Sequence, residues 1–249
     1  MEMKYMRFGS GEKTMVILPG LSLKPVTDSA KSVEKAYKCF NKDYTVYLFD
    51  RRSDVEEGYS LEDMADDTLE KITELGLKEI YLFGVSQGGM IAQLMVLKRP
   101  ELFRKMVLAS TTNRFNNDRL EEWLALAEEK DVKKLVRTFS QLIYSEKTYR
   151  KFKPFLALMY KDMDEEDLRR FEIYAKSVSG FDVSDRSKEI LVPTLILGSI
   201  KDKIIDPAEM ILMHEQMPES DLYLYEDYSH AVYDEAPDFK DRIMAFFAA

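Results

Sequence analysis

An α/β chain wound around a mostly parallel sheet is the fold class this sequence predicts, on three observations. Short apolar runs alternate with stretches of helical periodicity along most of its 249 residues. The connections between them are short, as parallel units joined by crossover helices require. One run, TVYLFD at 45–50, is almost unbroken in its apolar character, as expected of a strand covered on both faces. The length suits one such domain carrying an insertion rather than two large independent ones.

In chain order, Lys4 to Phe8 and Lys13 to Leu18 read as strands flanking the turn formers Gly9, Ser10 and Gly11, and so as a hairpin. A helix is expected over Asp28 to Phe40, and the strand at 45–50 follows. Leu61, Met64, Ala65, Thr68, Leu69, Ile72 and Leu75 share a helical face, with Ser60 as N-cap, Asp63 three residues on, and Gly76 closing the helix. Glu79 to Phe83 is a strand, Gly88 to Lys98 a helix ended by Pro100, and Lys105 to Ala109 a strand. Residues 112–180 break the alternation with successive amphipathic helices, among them Leu120 to Lys130, Val132 to Ile143 and Asp167 to Val178. They read as an inserted helical cap, dividing the chain into a core of 1–111 and 181–249 and a cap of 112–180. The alternation resumes with VPTLILG at 192–198, a helix from Pro207 to Met217, a strand from Asp221 to Tyr225 and a last helix from about Asp238 to Phe247.

Composition narrows the function classes. The formal charge is −9 and no Lys/Arg cluster follows a phosphate backbone, so nucleic acid is not an expected partner. A single cysteine, Cys39, permits neither an intrachain disulfide nor a cysteine zinc site, and it reads as an inert structural residue. No cofactor or metal is expected; the acidic run Asp162 to Asp167 lacks calcium-loop spacing and reads as a solvated helix start. No apolar run of 18 residues occurs, and MEMKYMRFGS lacks a signal-peptide core, so a cytoplasmic protein without a membrane span is expected.

The sharpest chemical signal is YLFGVSQGGM at 81–90. Gly84-Val85-Ser86-Gln87-Gly88 matches G-x-S-x-G between an apolar strand and a helix, where a sharp turn lifts a serine above the sheet. The competing role for Ser86 is a helix cap. A serine nucleophile needs a base, itself oriented by an acid. The chain owns two histidines. His230, in YSHAVYDEAP, lies in a loop after the last strand, whereas His214 sits inside a helix. For the acid, Asp202 directly follows the VPTLILG strand, and Asp206 precedes Pro207 as an N-cap would. Ser86, Asp202 and His230 in that order reproduce the nucleophile-acid-histidine order of α/β-hydrolases.

With VILPGLSL, YTVYLFDRRS, YSLEDMADD, LFGVSQGGMIAQLM and YSHAVYDEAPDF in sequence, the chain resembles the α/β-hydrolase superfamily over nearly all of its length outside the cap. The resemblance implies an α/β-hydrolase fold and an oxyanion hole made by the backbone N–H groups of Gln87 and Leu21. Many relatives carry His-Gly where this chain has Pro19-Gly20. A serine at the elbow separates the chain from haloalkane dehalogenases and epoxide hydrolases, and Gln87 stands where proline iminopeptidases usually show tryptophan. GVSQGGMIAQ is closer to esterases, enol-lactonases and cofactor-free haloperoxidase-like members. The expected function is a serine hydrolase of small or medium esters, lactones or thioesters. A receptor-like member that binds without turnover, and an acyltransferase with the same triad, are the alternatives. The partner is a small molecule with an apolar acyl or aromatic part. The cap aromatics, Phe115, Trp123, Phe139, Tyr144, Tyr149, Phe152, Phe155, Tyr160, Phe171 and Tyr174 with Met159 and Met163, are expected mostly to pack in a core, a minority lining a pocket.

Overall fold

The computed structural model describes residues 3–115 and 119–249. The expected core and cap each extend slightly outside these, at residues 1–2 and 116–118.

Seven strands form one sheet in the order β1-β3-β2-β4-β5-β6-β7. They are β1 (Met3–Phe8), β2 (Lys13–Leu18), β3 (Tyr44–Arg52), β4 (Ile80–Val85), β5 (Phe103–Ala109), β6 (Thr194–Ser199) and β7 (Ser220–Tyr225). Within this sheet, among the described residues, β1–β3 pairs antiparallel and the other strand pairs are parallel. The helices are α1 (Ala30–Tyr37), α2 (Leu61–Glu74), α3 (Gln87–Lys98), α4 (Arg119–Glu128), α5 (Val132–Ile143), α6 (Glu146–Met159), α7 (Glu165–Lys176), α8 (Pro207–Gln216), α9 (Val232–Glu235) and α10 (Phe239–Ala248). Four of them, α4 to α7, lie between β5 and β6. Among the described residues no helix is long and apolar enough to cross a membrane.

Alternation along the central strands splits the core in two. Val16, Leu82, Leu108 and Ile196 face one side with Met64 and Ile72 of α2, Met90 and Leu94 of α3, and Met210 of α8. Met15, Ile17, Phe83, Val107 and Leu197 face the other, with Phe40 and with Phe239, Ile243 and Phe247 of α10. Each fully buried side chain of this size contributes about 1.5–3 kcal/mol, so a sheet covered on both faces supplies most of the stability. The Ser60–Asp63 capping box begins α2 as the sequence predicts, and Gly76, at φ +64°, follows its last turn.

The hairpin expectation fails. β1 and β2 are strands, but β3 lies between them, pairing Phe8 with Val46 on one side and Met15 with Val46 on the other. The 9–11 turn is therefore wide. Ser10 N donates to Asn41 O at 3.0 Å and Lys13 N to Asp43 O at 3.2 Å, so the turn is anchored on the residues that enter β3. The nearly continuous apolar run of β3 explains the outcome, because it is buried best between two neighbours rather than at an edge.

Three further expectations are corrected. The helix placed at Asp28 to Phe40 is a short α1 flanked by tight 3₁₀ turns at Val26–Ser29 and Lys38–Phe40. Cys39 sits in the second of these and is exposed rather than structural, although partial burial pushes its thiol up from the ordinary value. The acidic run does start α7 through an Asp164–Asp167 capping box, yet Asp167 is buried and bonded to Arg170 at 2.5 Å instead of solvated. Among the cap aromatics, Phe152 and Phe155, with Met159, are exposed on α6, while Trp123, Phe139 and Phe171 form a buried edge-to-face chain.

Candidate active site

The elbow follows from local crowding. β4 ends at Val85, and Ser86 turns the chain into α3 with φ +50° and ψ −119°, a conformation that costs a non-glycine residue about 1–3 kcal/mol. It persists because its surroundings over-determine it. Ser86 N donates to Ala109 O at 2.8 Å, and Ser86 O accepts from Gly89 N at 2.8 Å and from the Thr111 hydroxyl at 2.8 Å. The flanking glycines are steric requirements. A Cβ at Gly88 would lie 2.1 Å from Leu18 O, and one at Gly84 2.6 Å from Gly88 O. Ser86 occupies the N-cap position of α3, but its side chain makes no capping hydrogen bond, which answers the helix-cap alternative.

His230 lies in the loop between β7 and α9, and both ring and carboxylate side chains of the His230–Asp202 pair are buried, at 4% and 0% exposure. His230 Nδ1 is 2.9 Å from Asp202 Oδ2 and 3.0 Å from Oδ1. Asp202 Oδ1 also accepts from the backbone N–H groups of Ile204 at 2.8 Å and Ile205 at 3.0 Å, which hold the carboxylate just beyond β6. The loop that carries His230 is pinned from two directions. The Ser110 hydroxyl donates to His230 O at 2.7 Å, while Ala231 N donates to Ile143 O at 2.8 Å and the Ser229 hydroxyl to Leu142 O at 3.0 Å. The end of β5 and the end of α5 thus both set the imidazole's position.

The two competitors are engaged elsewhere. Asp206 caps α8, accepting from Ala208 N at 2.9 Å, and His214 Nδ1, in the last turn of that helix, sits 2.8 Å from the Ser220 hydroxyl at the start of β7.

A cavity of about 40 Å³ collects Gly20, Leu21, Ser86, Gln87 and His230, walled by Met90, Phe115, Trp123, Phe139, Ile143, Val178, Ile204 and Tyr233. Of the cap aromatics, Phe115, Trp123 and Phe139 therefore line it. No hydrogen bond within the described residues takes the backbone N–H of Leu21 or of Gln87, so both donors are open. Burial pushes the Tyr233 phenol in this wall well above its ordinary value, so it stays neutral.

A second cavity, about 240 Å³, adjoins the first, since Gly20 and Gln87 line both. Arg51 lies in its wall. It is packed by protein on most sides, and burial lowers its guanidinium from the ordinary value. Arg51 Nη2 donates to Pro19 O at 2.7 Å and to Gln87 Oε1 at 3.0 Å. Neither Arg51 nor the Ser110 anchor was anticipated from the sequence, because a charged residue at a strand end and a serine after a strand carry no periodic signal.

Residues 13–237 match the family model described as alpha/beta hydrolase fold, and the chain belongs to that family. It is 25% identical over 228 residues to a protein named putative carbamate hydrolase RutD of Rhizobium rhizogenes, covering 83% of this chain and 84% of that one. Among solved structures it superposes on MGS-M2, an alpha/beta hydrolase enzyme from a Medee basin deep-sea metagenome library, with TM-score 0.89 and 23% identity, covering 99% of this chain and 94% of that one. On the enol-lactonase of Burkholderia xenovorans the TM-score is 0.87 at 16% identity, covering 99% and 96% of the two chains.

Proposed function

We propose that this chain is a serine hydrolase acting on a small or medium carboxylic ester, lactone or thioester. The observation that carries the proposal is a strained Ser86 sharing one small cavity with a His230 whose far nitrogen is tied to a buried carboxylate. In this reading His230 takes the proton from the Ser86 hydroxyl as its oxygen attacks the carbonyl carbon. Asp202 fixes the imidazole tautomer and stabilises the imidazolium. The N–H groups of Leu21 and Gln87 receive the oxyanion, and collapse of the tetrahedral species expels the alcohol or thiol with the proton from His230. Water activated by His230 then releases the acid and restores Ser86.

In this reading the helices after β5 act as a cap, with Trp123 of α4 and Phe139 and Ile143 of α5 lining the cavity around the serine. The small, largely apolar cavity favours a short acyl group or a compact ring. The name of the Rhizobium rhizogenes relative supports a second substrate class, carbamates, whose carbonyl the same groups would attack.

The test is labelling with a fluorophosphonate followed by peptide mapping, then an ester, lactone and carbamate panel. Modification at Ser86 that Ser86→Ala abolishes is the expected result. A folded wild type that neither labels nor turns over any of these substrates would favour the binding-protein alternative, and amine or alcohol acceptors that divert product would favour acyl transfer.

A further inference from the structure

The Pro19-Gly20 loop poses a mechanical problem. It must present the Leu21 N–H toward a reacting carbonyl, yet it runs through a glycine whose backbone is permissive, and proline supplies no donor or side-chain handle to fix it. Opposite it, the Gln87 N–H is fixed by the start of α3. Something must hold the two donors in register, because an oxyanion hole acts only when its donors are pre-aimed.

The geometry points to Arg51 as that device: we infer that its guanidinium is a positioning group that locks the oxyanion loop to the elbow and, through the Gln87 amide, to the cap helix α7. The inference rests on the serine-hydrolase reading. One nitrogen, Nη2, reaches both Pro19 O and Gln87 Oε1, on the two segments that carry the candidate oxyanion donors. The other end of the same amide, Gln87 Nε2, donates to Tyr174 O at 2.6 Å and to the Ser177 hydroxyl at 3.2 Å. The Tyr174 hydroxyl closes the circuit by donating to Arg52 O at 2.6 Å, next to Arg51 itself. The end of β3, the loop, the elbow and α7 are therefore one connected polar network. Gln87 is 2% exposed, so the amide at the centre of this network is shielded from solvent, where its bonds are stronger.

The charge state of Arg51 fits this use. No carboxylate within the described residues lies in ion-pair range of it; the neighbouring Asp50 instead spends its oxygens on Val26 N and Thr27 N, both at 2.9 Å. Arg51 is part-buried and its acceptors are a carbonyl and an amide oxygen, an arrangement that orients the guanidinium rather than pairing it with a carboxylate. It also polarises the Pro19–Gly20 peptide and puts positive potential beside the position of a developing oxyanion.

Arg51→Met and Arg51→Lys are compared with wild type, each normalised by active-site titration with a fluorophosphonate, measuring kcat and KM on a short p-nitrophenyl ester and the affinity for an alkyl boronic acid that mimics the tetrahedral adduct. For Arg51→Met, kcat falls roughly 10- to 100-fold with little change in KM, and boronate affinity falls in parallel. Arg51→Lys, which keeps the charge and one bond, recovers part of both. A role confined to folding would lower the titrated fraction or the melting temperature while leaving kcat per titrated site and boronate affinity intact, and that result overturns the inference. If Arg51→Met does not fold, Gln87→Met, which leaves Arg51 tied to Pro19 only, carries the same test with the same expected direction. Wild type that neither titrates nor turns over sinks the hydrolase reading and this inference with it, an outcome distinct from an active wild type with unaffected variants.

Discussion

Ser86 is held in a conformation that few side chains tolerate, and the neighbouring glycines are there because Cβ atoms would strike backbone carbonyls. Gly88→Ala is accordingly expected to distort the elbow: a Cβ 2.1 Å from Leu18 O cannot be relieved by a rotamer change. Loss of fluorophosphonate labelling together with a lowered melting temperature would show it, and an unchanged labelling rate would contradict the crowding argument. The imidazole's partner gives a second expectation. Asp202→Asn keeps the side-chain shape but offers a donor where His230 Nδ1 needs an acceptor, so a fall in kcat of up to about 10⁴-fold is expected in steady-state assays. His214→Ala, by contrast, removes only a bond between the last turn of α8 and Ser220, and should leave kcat within about twofold of wild type, a difference too small to assign to a catalytic group. Loss of activity in that variant alone would reverse the choice of base.

At the scale of elements, the caps carry the clearest link from sequence to stability. Ser60 and Asp63 exchange hydrogen bonds at the start of α2, and these bonds hold the Asp63 carboxyl below its ordinary value. A depressed folded value means that the folded state binds fewer protons than the unfolded chain between the two values. Its contribution is therefore complete above the unfolded value and lost as pH falls through the folded one. Ser60→Ala should cost about 1 kcal/mol at neutral pH and flatten the acid limb of the stability curve, read by urea unfolding from pH 7 downward. An acid limb identical to wild type would mean that Asp63 keeps its low value by other means. This box was legible as Ser60 with Asp63 three residues on, because capping is a local property. The order β1-β3-β2 was not, because pairing depends on which strand most needs two neighbours. α9, a single turn after His230, was too short to leave a periodic trace.

The whole molecule decides the pocket. Its lining comes from the residues after β2 and β4, from His230 in the loop after β7, and from Trp123, Phe139 and Ile143 on helices between β5 and β6. Trp123 and Phe139, edge to face at 5.0 Å, set the small volume. Phe139→Ala should extend activity toward longer acyl chains while destabilising the fold by about 3–5 kcal/mol, measured by an acyl-length series and thermal unfolding. An unchanged chain-length profile would place the acyl group elsewhere.

By itself the sequence determined the α/β class, the strand-turn-helix around Ser86, the order of Ser86, Asp202 and His230, and the run of helices after β5. Those are properties of short segments, written in periodicity, glycine spacing and caps. Tertiary structure alone decided that β3 separates β1 from β2, that Phe155 and Met159 are exposed while Trp123 and Phe139 line the cavity of the serine, and that Arg51 ties Pro19 to Gln87. Each of these joins residues tens of positions apart, and what selects them is the burial of apolar faces and the satisfaction of buried polar groups across the entire chain, which no local pattern encodes.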